Sequence, residues 1–199
     1  MFRNTNKVDS LVNIIIYMKE KLSQFILKLM GWKVTNIIPE IPKCVIAVAP
    51  HTSNCDFIMG KLAYTSIGRT ANFLIKKSWF VFPFNYFFNS IGGIPVDRNK
   101  NRSITDKLAD EFKKRDKFQL AVTPEGTRKR VEKWKRGFYF IALKAKVPIV
   151  LVALDYGTKT ISFLDEFYPT GEVDKDMEII KSKYAGIQGR HPEKFVSVQ

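Results

Sequence analysis

The stretch Cys44-Val-Ile-Ala-Val-Ala-Pro-His-Thr-Ser-Asn-Cys-Asp56 decides how the rest of the chain is read. Its first six residues are uniformly apolar and rich in β-branched side chains, the pattern of a strand buried on both faces. Pro50 ends the run, polar residues follow, and Asn54 to Ile67 then reads as a helix. A buried strand entering a helix through a short polar loop is the first half of a β–α unit. The alternation continues downstream. Ala71 to Ile75 reads as a short strand, Arg102 to Arg115 as an amphipathic helix, and Phe118 to Thr123 as a strand. Gly137 to Lys146 reads as a helix and Pro148 to Leu154 as a strand, with Lys159 to Phe163 as an added edge strand and Asp174 to Tyr184 as a closing helix. The expected fold is α/β: a single domain with a central, mainly parallel or mixed sheet flanked by helices. In such sheets reactive groups gather on the loops that leave the strand C-termini.

Upstream, Leu11, Ile14, Ile15, Met18, Leu22, Phe25, Ile26 and Leu29 recur at helical spacing, with Lys19, Lys21 and Lys28 elsewhere. Residues 1–38 therefore read as an N-terminal amphipathic helix region and residues 39–199 as the domain proper. That helix suits packing on the domain or lying on a membrane surface. Ser78 to Val96 is 19 residues without a charge, but it contains Pro83, Asn85, Asn89, Gly92, Gly93 and Pro95. A helix crossing a membrane there would leave polar groups unpaired in hydrocarbon, so no span is expected. The N-terminus lacks the basic-then-apolar pattern with a small-residue cleavage site, so no secretory leader is expected either.

The chain has 199 residues, 45% of them hydrophobic, which excludes a disordered polypeptide. Cys44 and Cys55 form no Cys-x-x-Cys, and there are only two histidines, so neither a disulfide scaffold nor a multi-His metal centre is expected. The formal net charge is +14. It is unevenly spread: residues 101–146 carry 14 basic and 6 acidic side chains, whereas residues 147–199 carry 6 and 8. All of the excess positive charge precedes Pro148. Such asymmetry points to an anionic partner: nucleic acid, an anionic membrane surface or a phosphorylated substrate. The near-neutral tail is expected to lie away from the basic face.

Three constellations carry the chemistry. His51 follows the apolar strand, and Asp56 stands in the first turn of the next helix. On one continuous helix positions five apart cannot meet, but a chain reversal at residues 51–54 brings the two together. Asp56 then accepts a hydrogen bond from one imidazole nitrogen and leaves the other as a general base. The plainer alternative is a helix start capped by Thr52, Ser53 or Asn54, with Asp56 complementing the dipole. Cys55 reads as packing rather than as a nucleophile, and His191 as a solvated tail residue.

The second constellation is Thr123-Pro-Glu-Gly-Thr-Arg128. Gly126 suits a tight turn, and Thr127 and Arg128 project from a strand-end loop as a hydroxyl and a guanidinium, the elements of a phosphate receptor. Lys129, Arg130, Lys133, Lys135 and Arg136 extend the positive field. Glu125 is an acid amid these cations, placed to bind a substrate hydroxyl or to hold the loop. The third is Gly92-Gly-Ile-Pro-Val-Asp-Arg98, in which Arg98 is a candidate second ligand for the same anion.

These blocks, in this order and followed by Val147-Pro-Ile-Val-Leu-Val152, resemble the glycerophospholipid acyltransferase family of the lysophosphatidic acid acyltransferase type, over residues 40–155 or so. The resemblance implies that His51 is the general base and Asp56 its orienting carboxylate. It implies that Arg98, Glu125, Gly126, Thr127 and Arg128 bind the phosphate and glycerol-like part of the acceptor. Pro50, Pro95, Thr123 and Leu151 depart from residues frequent in the family, and none removes a reactive group. The implied reaction moves a fatty acyl group from an acyl thioester (acyl-CoA or acyl carrier protein as co-substrate) to a hydroxyl of a phosphorylated lipid, with no cofactor or metal. The implied setting is cytoplasmic, peripheral to the inner face of an anionic membrane, with no nucleic acid partner. The aromatics Trp79, Phe80, Phe82, Phe84, Tyr86, Phe87 and Phe88 then read as lining an acyl groove, touching lipid or filling the core. A basic non-enzymatic module binding nucleic acid or anionic lipid also explains the charge but not the His51–Asp56 spacing. An acyl thioester hydrolase is the nearest enzymatic rival.

Overall fold

The structure, a computed structural model, describes residues 5–96 and 104–196, with side chains from residue 13 onward. Seven strands form one mixed sheet: β1 (Lys33–Thr35), β2 (Lys43–Ala49), β3 (Asn72–Lys76), β4 (Gly93–Val96), β5 (Phe118–Val122), β6 (Ile149–Asp155) and β7 (Thr160–Phe167). Their spatial order is β1-β7-β6-β2-β5-β3-β4. The five strands from β4 to β6 are mutually parallel, while β7 runs antiparallel to β6 and β1 parallel to β7. The strand read over 159–163 is longer than expected and is not an edge, because β1 pairs along its outer side. The three-residue β1 is too short for its own periodicity to show. It also places residues 33–35 inside the sheet, upstream of the boundary read after residue 38.

Alternation along the two central strands sorts the core into two halves, as a period of two requires. Val45, Ala47 and Ala49 of β2, with Ile149, Leu151 and Ala153 of β6, face α4 (Ile104–Lys114), α5 (Gly137–Ala145) and α6 (Val173–Ser182). Leu108, Phe112, Phe138, Ile141, Met177 and Ile180 fill that side. Cys44 and Ile46, with Val150, Val152 and Leu154, face α1 (Thr5–Leu29) and α2 (Cys55–Ser66), which bury Leu27, Met59 and Ala63. Burial pushes the Cys44 thiol up to about 12, as suits a packing residue.

The amphipathic N-terminal helix packs on α2, and Gln24 donates to the Ser66 carbonyl at 2.8 Å. It nevertheless leaves Ile14, Ile15, Met18, Leu22, Phe25 and Leu29 exposed. The uncharged stretch 78–96 holds a short helix, α3 (Phe84–Ser90), and then β4. No helix among the described residues is long and apolar enough to cross a membrane. The core reading of residues 79–88 does not hold: none of them is buried, and Phe82 is 81% exposed. Their aromatic rings pair with each other (Trp79 and Phe87 with Phe88, Phe82 with Tyr86), and the segment touches the sheet at its edge strand, where Phe80 and Phe88 lie against Gly93 of β4.

Candidate active site

The two motif-bearing loops leave neighbouring strands at the same edge of the sheet. β2 and β5 are parallel partners, Ala47 lying opposite Val122, so the loops at 50–54 and 123–136 emerge side by side. Parallel pairing converts a separation of 74 residues into a direct contact: the His51 N–H donates to Glu125 Oε1 at 2.8 Å.

At the β2 end, the chain reverses between Pro50 and Cys55 and the predicted encounter takes place. His51 Nδ1 lies 3.3 Å from Asp56 Oδ2. The nitrogen is buried, has no other partner among the described residues, and is not aligned on the carboxylate as a short hydrogen bond. Asp56 is almost wholly buried and its acceptor sites are filled. Oδ2 takes the N–H groups of Thr52 and Ser53, both at 2.7 Å, and Oδ1 takes the Ser53 hydroxyl at 2.7 Å and the Tyr156 hydroxyl at 2.8 Å. Burial alone raises the carboxyl pKa, but the close imidazole of His51 and the hydrogen bonds from Ser53 and Tyr156 outweigh it and hold Asp56 down at about 2. It is therefore an anion at neutral pH, fixed in one orientation beside the imidazole. The capping alternative is realised in part. Asn54 is the N-cap residue without a side-chain bond, and Asp56 reaches back to the loop amides in its place.

Glu125 occupies the other side of His51. It is 4% exposed, with Oε1 on the His51 amide and Oε2 without a partner among the described residues. Burial raises its pKa, against hydrogen bonds that lower it. Of the two uses read for this acid, the observed contact is the loop-holding one. Gly126 takes φ +62° and donates its N–H to the Thr123 carbonyl at 3.0 Å, the tight turn expected. The Lys135 side chain lies over it: a Cβ at Gly126 would sit 2.8 Å from Lys135 Cδ. Arg128 is exposed and has no ion pair among the described residues, whereas Arg136 is paired with Asp174. The loop is anchored by buried Trp134, edge-on to Tyr184. Arg98 lies outside the described residues, so the structure does not place it relative to Arg128.

One expectation is overturned. The tail after Pro148 does not lie away from this edge. Residues 188–191 cross directly over the His51 loop: the His191 N–H donates to Thr52 Oγ1 at 3.2 Å, and Arg190 Nη1 contacts Cys55 Sγ. The approach is closest at Gly189, where a Cβ would fall 2.8 Å from Thr52 Cγ2 and 3.2 Å from Pro50 Cβ, so only glycine fits. Net charge decided the expectation, but packing decides the path. His191 itself keeps a half-exposed side chain beside Glu193, as read. Tyr156 is the site residue that motif reading passed over. Its one available signal is position, as the first residue beyond the β6 strand at the reactive edge of the sheet.

A family model described as Acyltransferase matches residues 13–155, which include both motif loops and α2 between them. The chain belongs to the acyltransferase family. Among curated proteins none matches the sequence. Among solved structures, the 1-acyl-sn-glycerophosphate (LPA) acyltransferase PlsC from Thermotoga maritima matches with a TM-score of 0.61 at 19% identity. The match covers 90% of this chain and 81% of that one, a likeness of fold. In this fold a buried carboxylate lies beside an imidazole at the C-terminal end of β2, on the sheet edge from which the 123–136 loop also emerges. Two clefts of about 380 and 360 Å3 lie elsewhere, between β4 and α4 and between α1 and the end of α2. Neither includes His51.

Proposed function

We propose that the protein transfers a fatty acyl group from an acyl thioester, acyl-CoA or acyl carrier protein, to the hydroxyl of a glycerol-phosphate-type lipid at the cytoplasmic surface of an anionic membrane. The observation that carries this reading is the His51–Asp56 pair at the end of β2, with the 123–128 loop on the adjoining strand. His51 Nε2 takes the acceptor's hydroxyl proton as the oxygen attacks the thioester carbonyl. Asp56 stabilises the imidazolium that forms. As the tetrahedral intermediate collapses, the carbon–sulfur bond breaks and the imidazolium returns the proton to the departing thiolate. The products are an ester and a thiol, with no acyl-enzyme intermediate and no cofactor.

Arg128, exposed on the loop beside His51 and without an ion pair among the described residues, is the ligand for the acceptor phosphate, with Arg98, the Thr127 hydroxyl and the Gly126 turn completing the receptor. Glu125 serves them by holding the His51 loop against this one. The Arg128→Ala variant should lose about 10- to 100-fold in kcat/KM toward a phosphorylated acceptor, the scale of a charge-assisted hydrogen bond. Toward an uncharged monoacylglycerol the loss should stay within about 3-fold. Comparable losses on both acceptors would show that Arg128 is not the phosphate ligand.

Membrane contact follows from the apolar groups left uncovered. The outward side of α1 and the aromatics Trp79, Phe82, Phe84, Tyr86 and Phe87 are exposed, and Lys76 and Lys77 flank the aromatic segment. Amphipathic rings beside lysines suit the headgroup region, and the net charge of +14 favours anionic lipid. The protein should co-sediment with phosphatidylglycerol vesicles much more than with phosphatidylcholine vesicles, and roughly 0.5 M salt should weaken the binding by screening. Failure to bind either vesicle would remove the membrane from this reading.

A further inference from the structure

We propose that Tyr156 is a positioning residue for the His51–Asp56 pair: its hydroxyl ties the Asp56 carboxylate to the end of β6 and so fixes the imidazole. The inference rests on the reading of His51 as general base. Four of the five groups around the carboxylate are local. The Thr52 and Ser53 amides, the Ser53 hydroxyl and the His51 imidazole all belong to the loop that Asp56 itself closes. They fix the carboxylate relative to that loop, and they would move with it. Tyr156 comes from a hundred residues further along the chain and reaches Oδ1 at 2.8 Å, so it fixes the loop relative to the sheet.

Tyr156 is itself held from three directions. β6 pairs with β2 up to Ala153 opposite Ala49, so the two strand ends that carry Tyr156 and His51 are neighbours. The ring stands edge-on to Trp32, with centroids 4.9 Å apart at 87°. The backbone N–H donates to the Gln188 carbonyl at 2.8 Å, which joins it to the same C-terminal crossing that covers Thr52. Asp155 rigidifies the turn beneath, accepting from Gly157 N–H at 2.9 Å, Gln188 N–H at 3.2 Å and the Thr158 hydroxyl at 2.7 Å. A hydroxyl with such support is pre-organised, and outer partners of this kind set how well an inner ligand is oriented. Burial and the Asp56 charge both push the Tyr156 pKa upward, so the phenol remains a donor throughout the working range. Tyr156 touches no reacting atom; it acts through Asp56.

The test is the isosteric Tyr156→Phe variant, which keeps the ring on Trp32 and deletes only the donor. In otherwise unaltered protein kcat should fall about 10-fold with KM for donor and acceptor within about 2-fold, the scale of one hydrogen bond to a charged group. In a His51→Ala background the same change should cost less than about 2-fold on the residual rate, since no imidazole is left to position. An Asp56→Ala background should likewise show almost no further loss. A residue that merely stabilises the fold would cost the same factor in every background. An unchanged kcat for Tyr156→Phe, a loss confined to KM, or equal losses with and without His51 would overturn the inference and leave the general-base reading standing. Undiminished turnover in His51→Ala alone would overturn that reading and this inference with it.

Discussion

Replacing His51 with Ala should reduce acyl transfer about 10²- to 10⁴-fold, the contribution expected of a positioned general base, while the protein stays folded. Three features separate the two effects. The imidazole side chain is one-fifth exposed, and among the described residues its Nδ1 meets only Asp56. The contact that holds the loop, from the His51 amide to Glu125 Oε1, uses backbone and survives the substitution. Asp56 retains two amide and two hydroxyl donors, so the change leaves no bare buried charge. A labelled acyl thioester with a phosphorylated lipid acceptor gives the rate, and a thermal melt should shift by only a few degrees. Full turnover in the variant would end the general-base assignment. Product analysis separates transfer from its rival: a hydrolase releases free fatty acid without needing the acceptor.

What could be read in advance followed from how local the signals were. The runs Cys44–Ala49 and Pro148–Leu154 declared buried strands because both faces are covered, and they became the two central strands of the sheet. His51 and Asp56 meet through a five-residue reversal, a geometry that spacing alone constrains. The contacts that complete the site are non-local. Glu125 on the His51 amide depends on β2 and β5 being sheet neighbours, which no periodicity encodes. Tyr156 on Asp56, and residues 188–191 over Thr52, depend on where β6 ends and how the tail returns. The aromatics at 79–88 show the opposite case. Composition leaves them as groove, lipid contact or core alike; their segment leaves the sheet after β3, rests on the edge strand β4, and none of them is buried.

The charge also changes meaning once the partners are visible. Arg136, Lys144, Lys117 and Arg115 pair with Asp174, Asp106, Glu40 and Glu111. Exposed pairs like these add little stability but do neutralise the local field. Arg128, on the loop beside His51, has no such ion pair among the described residues, and neither have its neighbours Lys129, Arg130, Lys133 and Lys135, so the positive field that remains is concentrated on this loop.

Asp56 should show the second large effect, and two substitutions divide its roles. Asp56→Asn is a conservative change here for a specific reason. The Thr52 and Ser53 amides can only donate, so the Asn carbonyl oxygen must face them and stay near His51 Nδ1. The Ser53 and Tyr156 hydroxyls can reverse and accept from the new NH₂ group. The loop and the imidazole tautomer are therefore kept, and only the negative charge that stabilises the imidazolium is lost. A kcat loss on the order of 10²-fold is expected, at little cost in stability. Asp56→Ala removes the charge and every acceptor, leaving buried donors unpaired. It should match or exceed that loss and destabilise the fold by about 2–4 kcal/mol.

The pH dependence of stability gives a signature independent of turnover. Asp56 titrates at about 2 in the folded protein against an ordinary 3.8, so its stabilisation is fully present above about pH 5 and is lost as the pH falls towards 2. The contribution is roughly 1–2 kcal/mol, discounted because the site opens to solvent at His51. Glu125 has the opposite sign. Its raised pKa means that protonation favours the folded state, so its term improves as the pH falls through the folded value. Unfolding by denaturant at a series of pH values should therefore show a shallower loss below pH 5 in Asp56→Asn than in the unaltered protein. Parallel curves for the two proteins would mean that the Asp56 carboxylate is not held by this network.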